Sequence, residues 1–291
     1  LDENPAAMTI NVNSNSDAVG NSDIYNRFYP GIQRVNAQLT DADIEIKKSN
    51  TNEVELSVTG GLADDMEALK ETLRVSASVG TLSIQQEKKA GISVSYAASR
   101  LFGLKVGKYS ARIVIHIAVP EQFEKIKVKS ISGDIKANNS NAKTLLIHTG
   151  SGDVGVEDCQ ADELFASSIS GDVNVIACKA DKMDVVSISG DIKAEFDKSA
   201  QCRAKSTSGD CKVTIGNQVD AVVSSTSGDV NVRYIGEIGL EMVLSSTSGD
   251  VSAVCGGINS KGKKKVQERF GEPDSKLKAS TISGDIKVRD C

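Results

Sequence analysis

Apolar residues from residue 126 onward recur on a fixed schedule around the tripeptide Ser-Gly-Asp. Counted from its Gly, apolar residues stand seven and five positions before it and two and four positions after it in every copy. The tripeptide occurs eight times, with its Gly at Gly133, Gly152, Gly171, Gly190, Gly209, Gly228, Gly249 and Gly284. Alternation of this kind predicts one short strand on each side of the tripeptide, with every second side chain pointing inward.

The spacing of the copies predicts the architecture. The first six lie 19 residues apart, and the last two gaps are 21 and 35 residues. A fixed period near 20 residues is typical of a solenoid, and a rung of this size is too short for a β-α-β unit, which needs about 30 residues. We therefore predict an all-β fold, a right-handed parallel β-helix or β-solenoid, whose 19-residue rungs stack in register about 4.8 Å apart.

The tripeptide itself is predicted to form the corner of each rung. Gly suits a sharp corner that needs a positive φ, and the Asp carboxylate can accept the amide hydrogens of the corner. Ser or Thr three positions before the Gly, and Ser one position before it, continue the inward parity in every copy. We expect both hydroxyl columns to point into the narrow part of the coil and to bond backbone groups there.

Residues 1–119 lack the tripeptide and are predicted to form a mostly β capping or extension region, ahead of a repeat domain at 120–291. A solenoid needs such caps because its last rung exposes unpaired backbone. The predicted elements of this region are a strand at Thr9–Asn13, a hairpin of 44–46 with 54–58, a short helix carrying Met66, Leu69 and Leu73, a strand at 82–84, and a long strand from Tyr109 to Val119 that Pro120 ends.

The longest gap between copies holds an insertion at 256–276, which opens with Gly256-Gly257 and carries a dense basic run. Insertions into a solenoid protrude on one face and often bind partners there. The candidate binding residues are Lys261, Lys263, Lys264, Lys265, Arg269 and Phe270. The alternative is a solvated loop that covers the C-terminal rungs.

The Asp residues of the repeat are predicted to stack in one column, where their charges repel unless something compensates. Calcium is one candidate because it prefers oxygen ligands. Its candidate ligands are Asp134, Asp153, Asp172, Asp191, Asp210 and Asp229. The alternative is compensation by corner amides and by lysines two positions later, such as Lys136 and Lys193. Calcium-binding β-roll repeats are shorter and richer in Gly, which favours this alternative.

Composition narrows the function. A net charge of −5 argues against general nucleic-acid binding, which needs a basic face, and no apolar run is long enough for a transmembrane segment.

The six cysteines fit the repeat as reduced, buried small residues, and Cys159 and Cys178 are the one pair placed for a bridge. The chain begins at Leu1 rather than Met, which is typical of a mature or trimmed chain from which any targeting segment is gone, and we leave a lipid anchor open.

No constellation of residues predicts catalysis or a cofactor. Parallel β-helix enzymes gather carboxylates at one rung, whereas this repeat spreads them evenly along a column. His116 and His148 are the only histidines of the sequence and stand far apart in it. We therefore predict no enzyme, no catalytic residue and no cofactor.

The rungs resemble a known bacterial family. The hexapeptide from Ser130 to Ile135 recurs as far as Ser280–Ile286, after a strand that ends in Val119-Pro120. This pattern is similar to the bacterial putative-adhesin family, a domain of unknown function, over residues 119–291 and more weakly over 1–118; one copy departs from it, with Gly150 in place of Ile or Thr. The resemblance implies a β-solenoid, an extracytoplasmic or cell-envelope setting and an adhesive role, and it implies no catalytic residues.

These observations support one hypothesis and two rivals. We expect a non-enzymatic β-solenoid of the cell envelope, periplasm or cell surface that adheres to a polysaccharide or another cell-surface ligand. The first rival is a rigid envelope or periplasmic spacer without a ligand, and the second is a polysaccharide-active β-helix enzyme. The sequence leaves the oligomeric state open.

Overall fold

The chain folds into short β-strands joined by tight turns. A computed structural model describes residues 25–60, 69, 72–86, 113–196 and 199–290. The strands of these residues are, in chain order, β1 (Tyr25–Tyr29), β2 (Arg34–Gln38), β3 (Asp43–Lys48), β4 (Val54–Thr59), β5 (Leu73–Ser78), β6 (Thr81–Gln86), β7 (Val114–Val119), β8 (Phe123–Ser130), β9 (Ile135–Asn138), β10 (Asn141–Thr149), β11 (Val154–Glu157), β12 (Gln160–Ser168), β13 (Val173–Ile176), β14 (Lys179–Ser187), β15 (Ile192–Phe196), β16 (Gln201–Lys205), β17 (Cys211–Ile215), β18 (Asp220–Ser224), β19 (Val230–Tyr234), β20 (Gly239–Ser246), β21 (Val251–Cys255), β22 (Ile258–Lys263), β23 (Lys265–Gly271), β24 (Ser275–Thr281) and β25 (Ile286–Asp290).

The strands form two sheets, which have 13 and 12 strands within the described residues. Sheet A has the spatial order β1-β4-β7-β3-β9-β11-β13-β15-β17-β19-β25-β21-β22. Sheet B has the order β23-β20-β24-β18-β16-β14-β12-β10-β8-β2-β6-β5. Each repeat contributes one strand to each sheet, and neighbouring repeats pair in parallel, with Val154 opposite Val173 and Leu145 opposite Leu164. Partners in these pairs are therefore separated by one repeat period.

One hydrophobic core fills the space between the two sheets. The four apolar columns of the repeat are buried in every rung, from Ile126 in the first to Val288 in the last. Burial of one Val, Leu or Ile side chain contributes about 1.5 to 3 kcal/mol, so a column of such residues stabilises the whole stack. The all-β solenoid predicted from the alternation is confirmed.

The rungs are not stacked in the order of the chain at the C-terminal end. Strands β24 and β25, which flank the last tripeptide, lie between the rung of β18 and β19 and the rung of β20 and β21. A parallel strand has backbone donors and acceptors along both of its edges. A rung that comes later in the chain can therefore pair between two earlier rungs as well as at the end of the stack. The insertion therefore lies at the end of the coil, where β22 and β23 pair antiparallel with β21 and β20.

The N-terminal third enters the same two sheets in a similar way. Strands β2 and β3 form a rung beside β8 and β9, and β6 and β7 form the next rung outward. Strand β4 pairs with β7 and with β1, not with β3. The predicted hairpin of 44–46 with 54–58 is therefore wrong. Alternation identified both strands correctly, but it carries no information on which strand lies between them.

The other predictions for this region have mixed outcomes. The strands at 82–84 and before Pro120 are confirmed as β6 and β7. Leu73, expected on a helix, begins strand β5 and pairs with Gln86, whereas Leu69 and Thr72 are helical. The rest of the predicted helix, the strand at Thr9–Asn13 and residues 109–112 lie outside the described residues. In the part of the chain that the structure describes, no helix is both long and apolar enough to cross a membrane.

Candidate functional site

The Ser-Gly-Asp corner is held together by a hydroxyl that bonds two rungs at once. Ser187 Oγ donates to the carbonyl oxygen of Gly171 on the preceding rung at 3.0 Å and accepts from the backbone N–H of Gly190 at 2.9 Å. The same two bonds recur along the stack from Thr149 to Ser246. These hydroxyls stand three positions before the Gly and are buried. The prediction that the first of the two hydroxyl columns points inward is therefore confirmed.

The second serine of the corner faces solvent. Ser151, Ser170 and Ser189 stand one position before the Gly, and all three are exposed. The predicted inward column at this position is wrong. The chain turns between the two serines, so the period-two parity of the strand no longer applies at the second one.

The glycine of the corner is required by space and not by its backbone angle. The described glycines with positive φ are Gly31, Gly60, Gly80, Gly256, Gly257, Gly262 and Gly271, and none of them belongs to the tripeptide. A Cβ on Gly190 would lie 2.1 Å from the carbonyl oxygen of Gly171, and a Cβ on Gly209 would lie 2.0 Å from that of Gly190. The expected positive φ is wrong, and close stacking of successive corners explains the residue instead.

The aspartates of the corner form a hydrogen-bonded ladder. Each Oδ1 accepts the backbone N–H of the Asp on the next rung at 2.8 to 2.9 Å. The ladder begins at Asp43, a residue of the N-terminal third, and passes through Asp285 before Asp250. Backbone amides thus stabilise the stacked carboxylates, and Lys287 adds an ion pair to Asp285 at 3.9 Å.

This ladder bears on the calcium prediction. In the described residues, no three His, Cys, Asp or Glu side chains are grouped in a way that could hold a metal ion. One oxygen of each carboxylate is already engaged by the neighbouring amide, from Asp134 to Asp229. Calcium binding by Asp134, Asp153, Asp172, Asp191, Asp210 and Asp229 stays a prediction, and the ladder gives the column a role without a metal.

The basic insertion forms the end hairpin, defined here as residues 256–271. Gly256 and Gly257, with φ of 57° and 81°, make the two-residue turn between β21 and β22, as a twisted hairpin requires. Lys264 then crosses from sheet A to sheet B. Its Nζ donates to the carbonyl oxygens of Ser248 at 2.8 Å and Gly249 at 2.7 Å and to Asp250 Oδ1 at 3.2 Å. The Lys264 ammonium group thus binds the corner oxygens that a further rung would otherwise bind, and the corner ladder ends there.

The other candidate residues of the end hairpin divide into two groups. Phe270 is half-buried and packs edge-on against Tyr234, with ring centroids 5.7 Å apart. A Cβ on Gly256 would lie 2.2 Å from the Phe270 ring, so the turn glycine makes room for it. Lys264 is exposed but bonds to the corner, and the other exposed cations are Lys261, Lys263, Lys265 and Arg269. Phe270 and Lys264 thus stabilise the end of the coil, and the exposed four keep their predicted role as a binding surface.

A groove of 690 Å³ follows the side of sheet B at the start of strands β8, β10, β12 and β14. Its lining repeats from rung to rung: Ala142, Ala161 and Ala180 occupy one position of successive repeats, with Phe123 in the first rung. Sequence reasoning missed this site. The available signal was a loss of alternation, because Ala142 and Leu145 are both buried although three positions separate them.

Polar side chains flank the row of alanines on both sides. Asn141, Gln160 and Lys179 stand one position before the alanines, and Lys143, Asp162 and Asp181 stand one position after them. With Glu121 and Glu124, the lining holds four carboxylates and two ammonium groups. Lys48 lies 3.0 Å from Glu121 and Arg34 lies 3.8 Å from Glu124, so the charges in and beside the groove balance. The site is therefore an open polar channel that crosses four rungs, or about 14 Å at the usual strand spacing.

The two histidines lie away from the groove lining. His148 bonds Ser167 across neighbouring strands at 2.8 Å, and its pKa is lowered by burial and by Lys129. His116 lies between two partners: Nε2 is 2.7 Å from Thr59 Oγ1 and Nδ1 is 3.0 Å from Glu45 Oε2. This order of hydroxyl, imidazole and carboxylate, which sequence reasoning missed, is also that of hydrolytic triads. Here the three side chains belong to the adjacent strands β4, β7 and β3 of one sheet.

The geometry defines a β-solenoid with a closed, repeated corner and an open, polar groove. Comparison of the sequence with family models gives its relatives: the chain belongs to the Toastrack DUF4097 family, whose model matches residues 32–289. The predicted resemblance to a family of domains of unknown function is confirmed at that level. No curated protein matches the sequence.

Two solved structures illustrate what the chain is similar to. A protein of Bacteroides fragilis described as a putative adhesin is 16% identical, with a TM-score of 0.49 over 91% of this chain and 96% of that one. A protein of Parabacteroides distasonis described as a putative lipid binding protein is also 16% identical, with a TM-score of 0.41 over 91% and 96%. Likeness at this level carries no argument about function.

Proposed function

We propose that this protein is a non-enzymatic β-solenoid of the cell surface or envelope that binds an extended polymer along its groove. The observation that carries the proposal is the repetition of the groove lining: one position of four successive rungs supplies an apolar floor, Phe123 followed by three alanines, and the positions beside it supply polar side chains that differ from rung to rung. A linear ligand with a repeating unit can contact this floor at each rung. Multivalent contact of this kind raises affinity without any single strong site.

The chemistry of the lining favours an uncharged polysaccharide. The amides of Asn141 and Gln160 and the carboxylates of Asp162 and Asp181 offer the donors and acceptors that hydroxyl groups need. The alanine methyls provide an apolar floor for the carbon-bound hydrogens of a sugar ring. Because the four carboxylates are matched by two lysines of the lining and by Lys48 and Arg34 beside it, the groove offers no net charge to attract a strongly charged chain.

Binding without catalysis fits the distribution of acidic groups. Asp162 and Asp181 occupy the same position of neighbouring rungs, on the same side of the row of alanines, whereas a glycosidase places its two carboxylates on either side of the bond that it cleaves. The Thr59–His116–Glu45 arrangement lies outside the groove lining. A cross-strand polar cluster on one face of three paired strands accounts for it.

The resemblance of the repeat to bacterial putative adhesins supports an extracytoplasmic location. A rigid, repetitive scaffold whose side chains present a polymer groove suits adhesion to a polysaccharide or another cell-surface ligand. The exposed cations of the end hairpin, Lys261, Lys263, Lys265 and Arg269, offer a second surface for a partner of opposite charge. A rigid spacer without a ligand is the rival that the following experiment separates.

The test is binding to a glycan array by the full chain and by two matched variants. Ala161→Phe fills the middle of the groove, whereas Val222→Phe places the same side chain on an exposed position of β18, outside the groove lining. We expect wild type and Val222→Phe to bind alike and Ala161→Phe to bind about tenfold more weakly or worse. Equal binding by wild type and both variants would show that the glycan binds outside the groove. No binding by wild type would favour the rigid spacer without a ligand.

A further inference from the structure

Cys159 and Cys178 occupy the same position on successive rungs, immediately before the paired residues Gln160 and Lys179. Each follows a residue with a φ of 52°, Asp158 in one rung and Ala177 in the next. Because the two turns have the same backbone conformation, the two side chains leave the chain in the same direction. Both cysteines are buried and are free thiols in this structure.

The two thiols contact each other inside the turn. Cys159 Sγ lies 3.3 Å from Ser140 Oγ, and Cys178 Sγ donates to the carbonyl oxygen of Ile176 at 3.2 Å. Interaction with Cys178 and with Ser140 lowers the pKa of Cys159 to about 7 against the opposing effect of burial. Interaction with Cys159 and burial raise the pKa of Cys178. The two thiols therefore affect each other's ionisation, as neighbouring groups do.

The other described cysteines have no such neighbour on the adjacent rungs. Cys202 is paired with Met183 and Ala221, and Cys211 is paired with Ile192 and Val230. Burial alone raises the pKa of Cys202 to about 12, and that thiol stays protonated at neutral pH. Stacking of two cysteines on adjacent rungs therefore distinguishes the pair of Cys159 and Cys178.

We propose that Cys159 and Cys178 form a disulfide that ties two successive rungs together beside the groove. Neighbouring strands of a sheet lie about 4.8 Å apart, inside the range of about 4.4 to 6.8 Å that a disulfide needs between Cα atoms. The bridge closes a loop of one repeat and requires no change in the pairing of Gln160 with Lys179. Since these two residues line the groove, the bridge also holds the spacing of two of its polar side chains.

A low-molecular-weight disulfide such as oxidised glutathione supplies the oxidising equivalents. The Cys159 thiolate attacks one sulfur of that disulfide, forms a mixed disulfide and releases one glutathione thiolate. Cys178 then loses its proton and attacks Cys159 Sγ, which breaks the mixed disulfide and releases the second glutathione. Two cysteine thiols are oxidised, one external disulfide is reduced to two thiols, and the bridge persists in an oxidising compartment.

The sequence makes the bridge easy to detect. Lys143 and Lys179 are successive tryptic cleavage sites, so Cys159 and Cys178 fall in one peptide, residues 144–179. The full chain is refolded in a buffer of oxidised and reduced glutathione, alkylated under denaturing conditions and digested without reduction. We expect this peptide to carry no alkyl group and to lack the mass of two hydrogen atoms, and reduction before alkylation to add two alkyl groups.

Two variants complete the test. Cys202→Ala should form the bridge as wild type does, whereas Cys178→Ala should give a peptide without the bridge that carries one alkyl group or one glutathione on Cys159. The oxidised wild type should also melt several degrees higher than its reduced form, and the two forms of Cys178→Ala should not show this gain. A doubly alkylated peptide after refolding with excess oxidised glutathione, or a bridge from Cys159 to another cysteine, overturns the proposal. The outcome does not depend on whether the groove binds a polymer.

Discussion

The two sides of the coil, the Ser-Gly-Asp corner and the return side that carries the groove, are built under different constraints. At the corner, successive rungs touch through backbone: the carbonyl oxygen of Gly171 occupies the place where a Cβ of Gly190 would stand. On the return side, the residue six positions after the Gly differs between rungs: it is Asn139, Asp158 or Ala177. The corner therefore accepts one residue type at its closest contact, whereas the return side accepts several residue types at the same position.

This difference shows where a repeat can acquire a function. A residue that recurs in every rung serves the packing of rung on rung, and the Asp ladder is the clearest case because each carboxylate bonds the next backbone amide. The groove lies on the side where rungs differ in residue type, with Lys143 on one rung and Asp162 on the next. Variation within a fixed frame can create a binding surface without changing the fold.

The largest effect should come from adding one carbon atom to the corner. Gly190→Ala places a Cβ 2.1 Å from the Gly171 carbonyl oxygen, and neither backbone can move without breaking its ladder. We expect a loss of about 3 kcal/mol or more in the free energy of unfolding, measured by denaturant unfolding. Gly155→Ala is the control, because its Cβ would meet its nearest neighbour, Lys136 Cγ, at 3.8 Å. A Gly190→Ala variant as stable as Gly155→Ala would contradict close stacking.

The next effect separates the two serines of one corner. Ser187→Ala removes the hydroxyl that bonds Gly171 and Gly190, and it leaves a buried carbonyl and a buried N–H without that partner. We expect a cost of about 2 kcal/mol. Ser189→Ala changes an exposed side chain and should alter stability by less than about 0.5 kcal/mol. Thermal unfolding of both variants measures the difference, and equal costs would refute the assignment of one serine to the interior.

A smaller effect should come from the end of the corner ladder. Lys264→Met removes the ammonium group that bonds Ser248, Gly249 and Asp250. Because the group is partly exposed, we expect a cost of about 1 kcal/mol, confined to the last rung. Lys263→Met, one residue earlier and exposed, should have no such effect. Hydrogen exchange is the measurement: faster exchange at β20 and β21 in the first variant alone supports the terminating role, and no difference contradicts it.

The core of this fold could be predicted from the sequence because the pattern that predicts it is local. Alternation around each Gly predicts which side chains point inward, and residues from Ile126 to Val288 are buried accordingly. The order of rungs could not be predicted in the same way. The rung of Gly284 lies between the rungs of Gly228 and Gly249. All three rungs present the same backbone hydrogen-bonding groups, so these groups do not determine which rungs pair. The length of the connecting segments and the packing of the end hairpin determine the order instead.

The candidate site was harder to predict for a related reason. The repeat predicts a column of Asp side chains as a candidate site, but their carboxylates accept hydrogen bonds from the backbone. The groove depends on a bend in sheet B, where the register between β10 and β12 continues at Thr144 and Glu163 without pairing Lys143 with Asp162. A bend of this kind interrupts the alternation for one residue, and the sequence signal is correspondingly weak. The end hairpin was located correctly, but the intramolecular role of Lys264 depends on carbonyl groups that no sequence pattern shows.

The smallest effect should be a gain in stability on the tolerant side of the coil. Ala177 has a φ of 52°, a left-handed conformation that costs a residue with a Cβ about 1 kcal/mol or more. Ala177→Gly removes this strain, and part of the gain is lost because Gly makes the unfolded chain more flexible. We expect a net gain of about 0.5 kcal/mol in denaturant unfolding. Ala194→Gly, in strand β15, should instead lose about 1 kcal/mol. If Ala177→Gly were destabilising to the same degree, the return turn would be as tightly constrained as the corner, and the contrast between the two sides would fail.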